Sequence, residues 1–304
     1  NLKIIKELGK GAYGTVFLVQ DKNSNEFFAA KQVEDKKLKE KKSNLTNFNN
    51  EKDILSQMEK HPNIIKYKSL FRDKTSFYLI LEYFNGGTLF EALEAQKAKY
   101  KTPFSEKQVK YIIREVLNGL IHLHEREIIH RDIKTENIFL NYDNPKDKSD
   151  VNIEKAKIAI GDLGFAKKLS ETGKAGSVIG TPICMHPAML EKYNKVHGLS
   201  QSKMPKKEEF YSYEADIYSL GVMTYELLFG VTPFQGRITE EILMNIRKKE
   251  YQLPQNYLRF KVSKSCILFI QNMLFPDNKS QRDEAAELIK DPWLNEIREL
   301  TNIN

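Results

Sequence analysis

Apolar and polar residues alternate through Leu2–Glu34, with breaks at Gly9–Gly14 and Asp21–Asn25. That pattern predicts two or three strands joined by short turns. The period changes near Asn44. Glu51, Leu55 and Met58 are spaced by four and then three, so they share one face of a helix predicted from about Asn44 to Lys60. His61-Pro62-Asn63 is the expected stop. Strand-like runs return at Ile64–Phe71 and Ser76–Phe84, and Asn85-Gly86-Gly87 breaks the chain. Beyond this break the pattern is mainly helical. Val109, Ile112, Val116, Leu120 and Leu123 step by threes and fours, whereas Asp216–Phe229 is apolar on nearly every face and predicts a buried helix. Two lysine-rich polar stretches, Asn141–Lys155 and Asn194–Glu209, are expected to be long surface loops, partly disordered.

Composition excludes several classes. The 304 residues are 40% hydrophobic and 29% charged, as expected of a globular chain with ample core. No apolar run reaches the roughly 18 residues of a membrane helix. The chain opens without Met on a strand-like run, so an excised domain without a signal peptide is expected. The two cysteines, Cys184 and Cys266, have no metal-ligand spacing and suit a reducing compartment, the cytoplasm or nucleus. The net charge is +7. Its lysines are scattered apart from Lys36–Lys42 and Lys203–Lys207, and neither cluster is interleaved with aromatics. Solvated loops are therefore expected, not a nucleic-acid surface.

The candidate chemistry lies in His130-Arg131-Asp132-Ile133-Lys134-Thr135-Glu136-Asn137 and in Gly161-Asp162-Leu163-Gly164, whose Asp162 falls 30 positions after Asp132. A candidate base (Asp132), a cation (Lys134) and two oxygen donors suited to Mg²⁺ (Asn137 and Asp162) are what phosphoryl transfer asks of a protein. Upstream, Gly9-Lys10-Gly11-Ala12-Tyr13-Gly14-Thr15-Val16 fits G-x-G-x-x-G-x-V between two strands, the context of a flap over phosphates. Lys31 lies in the largely apolar run Phe28–Val33, and Glu51 shares a helix face with Leu55. Each charge needs a partner if it faces inward, and a Lys31–Glu51 pair satisfies both.

These motifs resemble those of eukaryotic protein kinases, the serine/threonine type. The resemblance implies an α+β, two-lobed fold: residues 1–84 would form a small antiparallel-sheet lobe with one main helix, and 85–304 a larger, mainly helical lobe. It implies ATP and Mg²⁺ as cofactors and proteins as substrates. Gly9, Gly11 and Gly14 would cover the phosphates. Val16 and Ala29 would roof the adenine pocket, with Phe139 as its floor. Glu82-Tyr83-Phe84 would be the hinge offering backbone hydrogen bonds to adenine, guarded by Leu81. Leu55, Tyr67, Leu163 and His130 would form a stack anchored by Asp216. Asp132 would accept or orient the acceptor proton, Lys134 would steady the transferring group, and Thr181 would touch both. Arg131 would meet a phosphate on the activation segment. Ser177 is the first candidate for that phosphate, through an upstream kinase or trans-autophosphorylation, with Ser170 and Thr172 behind it.

The catalytic-loop run is similar to NIMA-related kinases, and the insertion before Asp162 to the Unc-51-like group. One segment departs from the family. In Thr181-Pro182-Ile183-Cys184-Met185-His186-Pro187-Ala188, Cys184, His186 and Ala188 replace a tyrosine, an alanine and a glutamate. The absent glutamate implies another partner for Arg282, and His186 is expected to be a packed or surface histidine, not a metal ligand. The departures leave a nucleotide-binding pseudokinase scaffold as the alternative to an active enzyme.

Overall fold

The computed structural model describes residues 2–10, 14–40, 42–169, 180–197, 212–248, 253–254, 260–275 and 284–295. The chain divides into two compact units. The first comprises Asn1–Ala92 with Thr135–Lys168, and the second Leu93–Lys134 with Leu169–Asn304.

The first unit opens with β1 (Leu2–Lys10), β2 (Gly14–Asp21) and β3 (Phe27–Glu34), followed by the helices α1 (Asp35–Glu40) and α2 (Lys42–Gln57). Strands β4 (Tyr67–Arg72) and β5 (Ser76–Glu82) complete an antiparallel sheet of order β1-β2-β3-β5-β4. Strand alternation puts Val19, Phe28, Ala30 and Ile80 together on one side, with Val33, Leu38, Phe48 and Leu79 in a second cluster. Helix α1 was not anticipated, and α2 stops at Gln57, so Met58 lies beyond the helix that buries Glu51 and Leu55. The strand expected from Ile64 begins only at Tyr67. The backbones of Asn63 and Ile65 bond instead to Ile160, a tie between segments far apart in sequence that local pattern cannot reveal.

After the short strand β6 (Gly87–Thr88), helix α3 (Leu89–Tyr100) carries the chain into the second unit. Ser105 caps α4 (Glu106–His124) in a reciprocal capping box with Gln108. The predicted stripe Val109, Ile112, Val116, Leu120 and Leu123 is wholly buried. Strand β7 (Ile128–Ile129) follows, and the chain returns to the first unit at Thr135.

There β8 (Ile138–Tyr142) and β9 (Ala156–Ile160) pair antiparallel, and β6 joins the other edge of β8. The stretch between β8 and β9 is not the loop its polarity suggested. Asn144 caps a short helix, α5 (Pro145–Ser149), and Val151 and Ile153 are 5% and 0% exposed. Two apolar anchors among the lysines, with the Asn144 cap, hold it in place.

The second unit resumes with α6 (Pro187–Val196), α7 (Glu214–Phe229), α8 (Thr239–Arg247), α9 (Lys264–Leu274), α10 (Ala285–Leu288) and α11 (Pro292–Asn295). Helix α7 is buried on nearly every face, as its composition required, and Gly230 ends it in the left-handed conformation. Asn194 belongs to α6 and is fully buried, so the second expected loop begins later than its polarity indicated. Residues 198–209 of that stretch lie outside the described residues. The buried carboxylate of Glu106 is answered by Ser263 N–H at 2.6 Å, Ser263 Oγ at 2.8 Å and Trp293 Nε1 at 2.9 Å, which ties α4 to α9 and α11. The expected α+β pattern is thus realised: a five-stranded antiparallel sheet near the N-terminus and a mainly helical remainder. Among the described residues no helix is long and apolar enough to cross a membrane.

If Ile153 holds the 143–155 stretch in the core, Ile153→Ala should destabilise the protein by about 2–4 kcal/mol, measured by urea unfolding. A loss indistinguishable from that of a surface substitution would contradict it.

Candidate active site

In the first unit, Lys31 lies on a central strand of the sheet. Register sets it opposite Val16 on β2 and Leu79 on β5, with Ala29 opposite Leu81 two residues earlier. Residues paired across a sheet point to the same face, so Val16, Ala29, Lys31 and Leu81 share one surface. Helix α2 supplies the countercharge: Lys31 Nζ donates to Glu51 at 2.7 and 2.9 Å. The same nitrogen donates to Asp162 Oδ1 at 2.8 Å, a contact the sequence did not disclose. Burial alone would lower the Lys31 pKa, but Asp162 and Glu51 outweigh it and raise it above the ordinary lysine value, which favours the ammonium form at neutral pH.

Asp162 adopts the left-handed conformation at φ 54, which an aspartate tolerates better than most residues. Its carboxylate remains 44% exposed. Asn137, in the 3₁₀ turn Thr135–Asn137 before β8, accepts a backbone bond from Gly161 N–H at 2.9 Å. This link, beside the Ile138–Ile160 pair, sets the two oxygen-donor residues at adjoining ends of paired strands. Phe84, Ile65 and Ala159 form an apolar cluster with Leu81 and Phe139. Glu82 is half-buried, its N–H donating to Lys66 O at 2.8 Å and its carboxylate accepting from Lys66 Nζ at 3.2 Å. Gly9 and Gly14 lie at the ends of β1 and β2. A Cβ on Gly14 would fall 1.6 Å from Gln32 O, so no other residue fits there. Gly11 lies outside the described residues.

In the second unit, Asp132 is 2% exposed and held from several sides. Thr181 donates to Oδ1 through its N–H at 3.0 Å and its hydroxyl at 2.7 Å, and Lys134 Nζ meets Oδ2 at 3.0 Å. Lys134 also donates to Thr181 Oγ1 at 2.6 Å, so ammonium, hydroxyl and carboxylate close a ring. Gly180 makes the approach possible. Its φ is +129, and a Cβ there would stand 2.6 Å from Arg131 O.

The backbone of this loop is fixed by Asp216 at the start of α7. Its Oδ2 accepts from His130 N–H at 2.9 Å and its Oδ1 from Arg131 N–H at 2.7 Å. His124 Nε2 lies 2.9 Å from Oδ2, a partner with no sequence signal because a lone histidine at the end of α4 carries no motif. Arg131 itself is held at φ 68, a conformation that costs about 1–2 kcal/mol and persists because Asp216 grips its N–H. Burial would push the Asp216 carboxyl up, but the hydrogen bond and charge of His124, with His130 behind them, hold it below the ordinary aspartate value.

The departing segment 182–188 has its own local logic. His186 caps α6, its Nδ1 accepting from Ala188 N–H at 3.3 Å, and its ring meets Tyr218 edge-on at 5.5 Å. The backbone of Cys184 accepts from Ser219 Oγ at 2.8 Å. Ser170, Thr172, Ser177 and Arg282 lie outside the described residues.

Because the folded Asp216 titrates below the unfolded value of about 3.9, its contribution to stability is complete above that pH and fades as pH falls through the folded value. Asp216→Asn, which turns an N–H toward a backbone donor, should cost about 2–3 kcal/mol at neutral pH, and the gap to the wild type should narrow below about pH 4. Unfolding midpoints across pH 3–7 measure this, and a gap independent of pH would refute it.

Known proteins resemble this chain along nearly all of its length. Residues 2–294 match the model of the family described as the protein kinase domain. Calcium-dependent protein kinase 5 of Plasmodium falciparum (isolate 3D7) is 32% identical over 293 residues, 96% of this chain and 45% of that protein. Myosin light chain kinase A of Dictyostelium discoideum is 32% identical over 289 residues, 95% of this chain and 86% of that protein. The chain therefore spans about half the length of the first relative and most of the second. With the match running through both the Lys31–Glu51 region and the Asp132 loop, the chain belongs to the protein kinase domain family.

Proposed function

We propose that this domain transfers the γ-phosphoryl group of ATP to serine and threonine hydroxyls of proteins. The observation that carries this reading is the closed Asp132–Lys134–Thr181 array. A carboxylate so oriented accepts or directs the acceptor hydroxyl proton, and the adjacent ammonium steadies the charge of the group in transfer. The relatives named as calcium-dependent and myosin light chain kinases support a phosphotransferase. The pairing of Lys134 with Thr181 supports the serine/threonine acceptor class over tyrosine.

In this reading residues 1–84 serve the nucleotide and residues 85–304 the catalytic loop, activation segment and substrate. Lys31, steadied by Glu51, takes the α- and β-phosphates beneath the flap of Gly9, Gly11 and Gly14. Val16, Ala29 and Phe139 enclose adenine, Leu81 guards the back of its pocket, and the backbone of Glu82 to Phe84 bonds its edge. Asn137 and Asp162 would hold Mg²⁺, and an amide with a half-exposed carboxylate is a donor set that fits it. Bound there, the ion neutralises phosphate charge. A phosphate on Ser177, added by an upstream kinase or in trans, would pair with Arg131 and order the activation segment.

Radiolabelled ATP with Mg²⁺ and a mixed protein acceptor tests the reaction. Label should appear on serine and threonine, and Asp132→Asn should reduce transfer by about 100-fold or more. Label on tyrosine, or equal transfer by Asp132→Asn, would exclude the assignment. For regulation, Ser177→Ala should match phosphatase-treated wild type in kcat/KM. Full activity in the Ala variant would remove Ser177 from the scheme.

A further inference from the structure

The end of β8 and the ordered stretch that follows it have no part in the chemistry above, yet both reach one residue. Asn85 directly follows the segment 82–84. Its N–H donates to Asn141 Oδ1 at 3.1 Å, its Nδ2 donates to Tyr142 O at 2.8 Å, and its Oδ1 accepts from Tyr142 N–H at 2.9 Å. Its carbonyl accepts from Lys148 Nζ, on α5. Backbone N–H, backbone C=O and both ends of the amide are therefore engaged, three of them by Asn141 and Tyr142 at the end of β8 and one by α5. The next residue continues the tie, Gly86 N–H donating to Leu140 O at 2.7 Å.

The stretch is itself built to hold its shape. Asn152 binds Asp147 through Nδ2 at 3.0 Å and through its backbone at 2.8 Å. Val151 sits at φ 54, a strained conformation for a β-branched residue, kept by burial of its side chain and that of Ile153. A surface loop with no task needs neither strain nor two core anchors.

We propose that the 143–155 stretch is a brace for the adenine-binding hinge and that Lys148 is a positioning residue for the nucleotide. By adding the Lys148 bond to the three that β8 already makes with Asn85, the brace completes the fixing of the hinge end and so sets where the backbone groups of residues 82–84 stand before ATP arrives, and the nucleotide does not bear the cost of ordering them. The inference rests on the reading of Glu82–Phe84 as the hinge.

Steady-state kinetics of the whole chain at saturating protein acceptor tests it. Lys148→Met keeps the aliphatic stem and removes the donor. KM for ATP should rise about three- to tenfold with kcat within about twofold, the size expected for one lost hydrogen bond. Asn85→Asp, isosteric but unable to donate to Tyr142 O, should act in the same direction. Lys148→Arg should restore most of the affinity, and the melting temperature of nucleotide-free Lys148→Met should match wild type. An unchanged KM in Lys148→Met, an Arg variant as impaired as the Met variant, or a joint fall of kcat and melting temperature would overturn the brace. Leu81→Ala assayed with N6-benzyl-ATP tests the hinge reading separately. Gain of use of this analogue supports the hinge; no gain removes the hinge, and the brace with it. A gain beside an unchanged KM in Lys148→Met removes the brace alone.

Discussion

A carboxylate buried without exposure survives only if its charge is answered, and the answer given to Asp216 sets the turn that carries Asp132. Its two oxygens take the N–H groups of His130 and Arg131, and His124 closes the remaining side. These bonds hold Arg131 in a left-handed conformation that it would not keep alone. The turn so produced delivers Asp132 to Lys134 and Thr181. Besides the stability it contributes when ionised, the buried charge selects a conformation. It makes alternative loop conformations expensive, because each would leave a charge or two backbone donors unpaired.

The first unit uses the same principle with the signs exchanged. Lys31, in an apolar strand, is accommodated by Glu51 from α2 and Asp162 from the turn after β9. Neither carboxylate is near Lys31 in sequence, so this one ammonium fixes a helix and a loop against the sheet. Asn85 achieves a comparable result without charge by giving every polar group a partner at the root of the β8–β9 stretch or on its helix. In all three places the chain is held by obligatory polar partners at points where apolar packing alone would leave several arrangements of similar energy.

Most elements were legible because their patterns are local. The stripe of α4, the continuous apolarity of α7 and the strand–turn–strand around the glycine flap each follow from spacing within a single element. Ile64 and Ile65 look like a strand, but their backbone neighbourhood bonds to Ile160, almost a hundred residues away. Asn141–Lys155 looks like a loop because its lysines outnumber its anchors, yet Val151 and Ile153 are buried and Asn152 binds Asp147 within it. Among the site residues, Asp132, Lys134, Asn137 and Asp162 were named from motif, and the Lys31–Glu51 pair from the need to compensate buried charge. The Lys31–Asp162 contact, the His124 support and the Asn85 ties carry no spacing signal.

The sequence alone determined which residues carry charge and oxygen donors suited to phosphoryl transfer, and which faces of helix and strand had to be buried. Those are properties of residue type and local period. The tertiary structure decided which carboxylate answers which cation, how His186 is used to cap α6, and what the polar stretch after β8 holds in place. Such pairings depend on chain segments far apart in sequence that meet only after the apolar faces have packed, and hydrogen bonds formed at that stage leave no period behind to read.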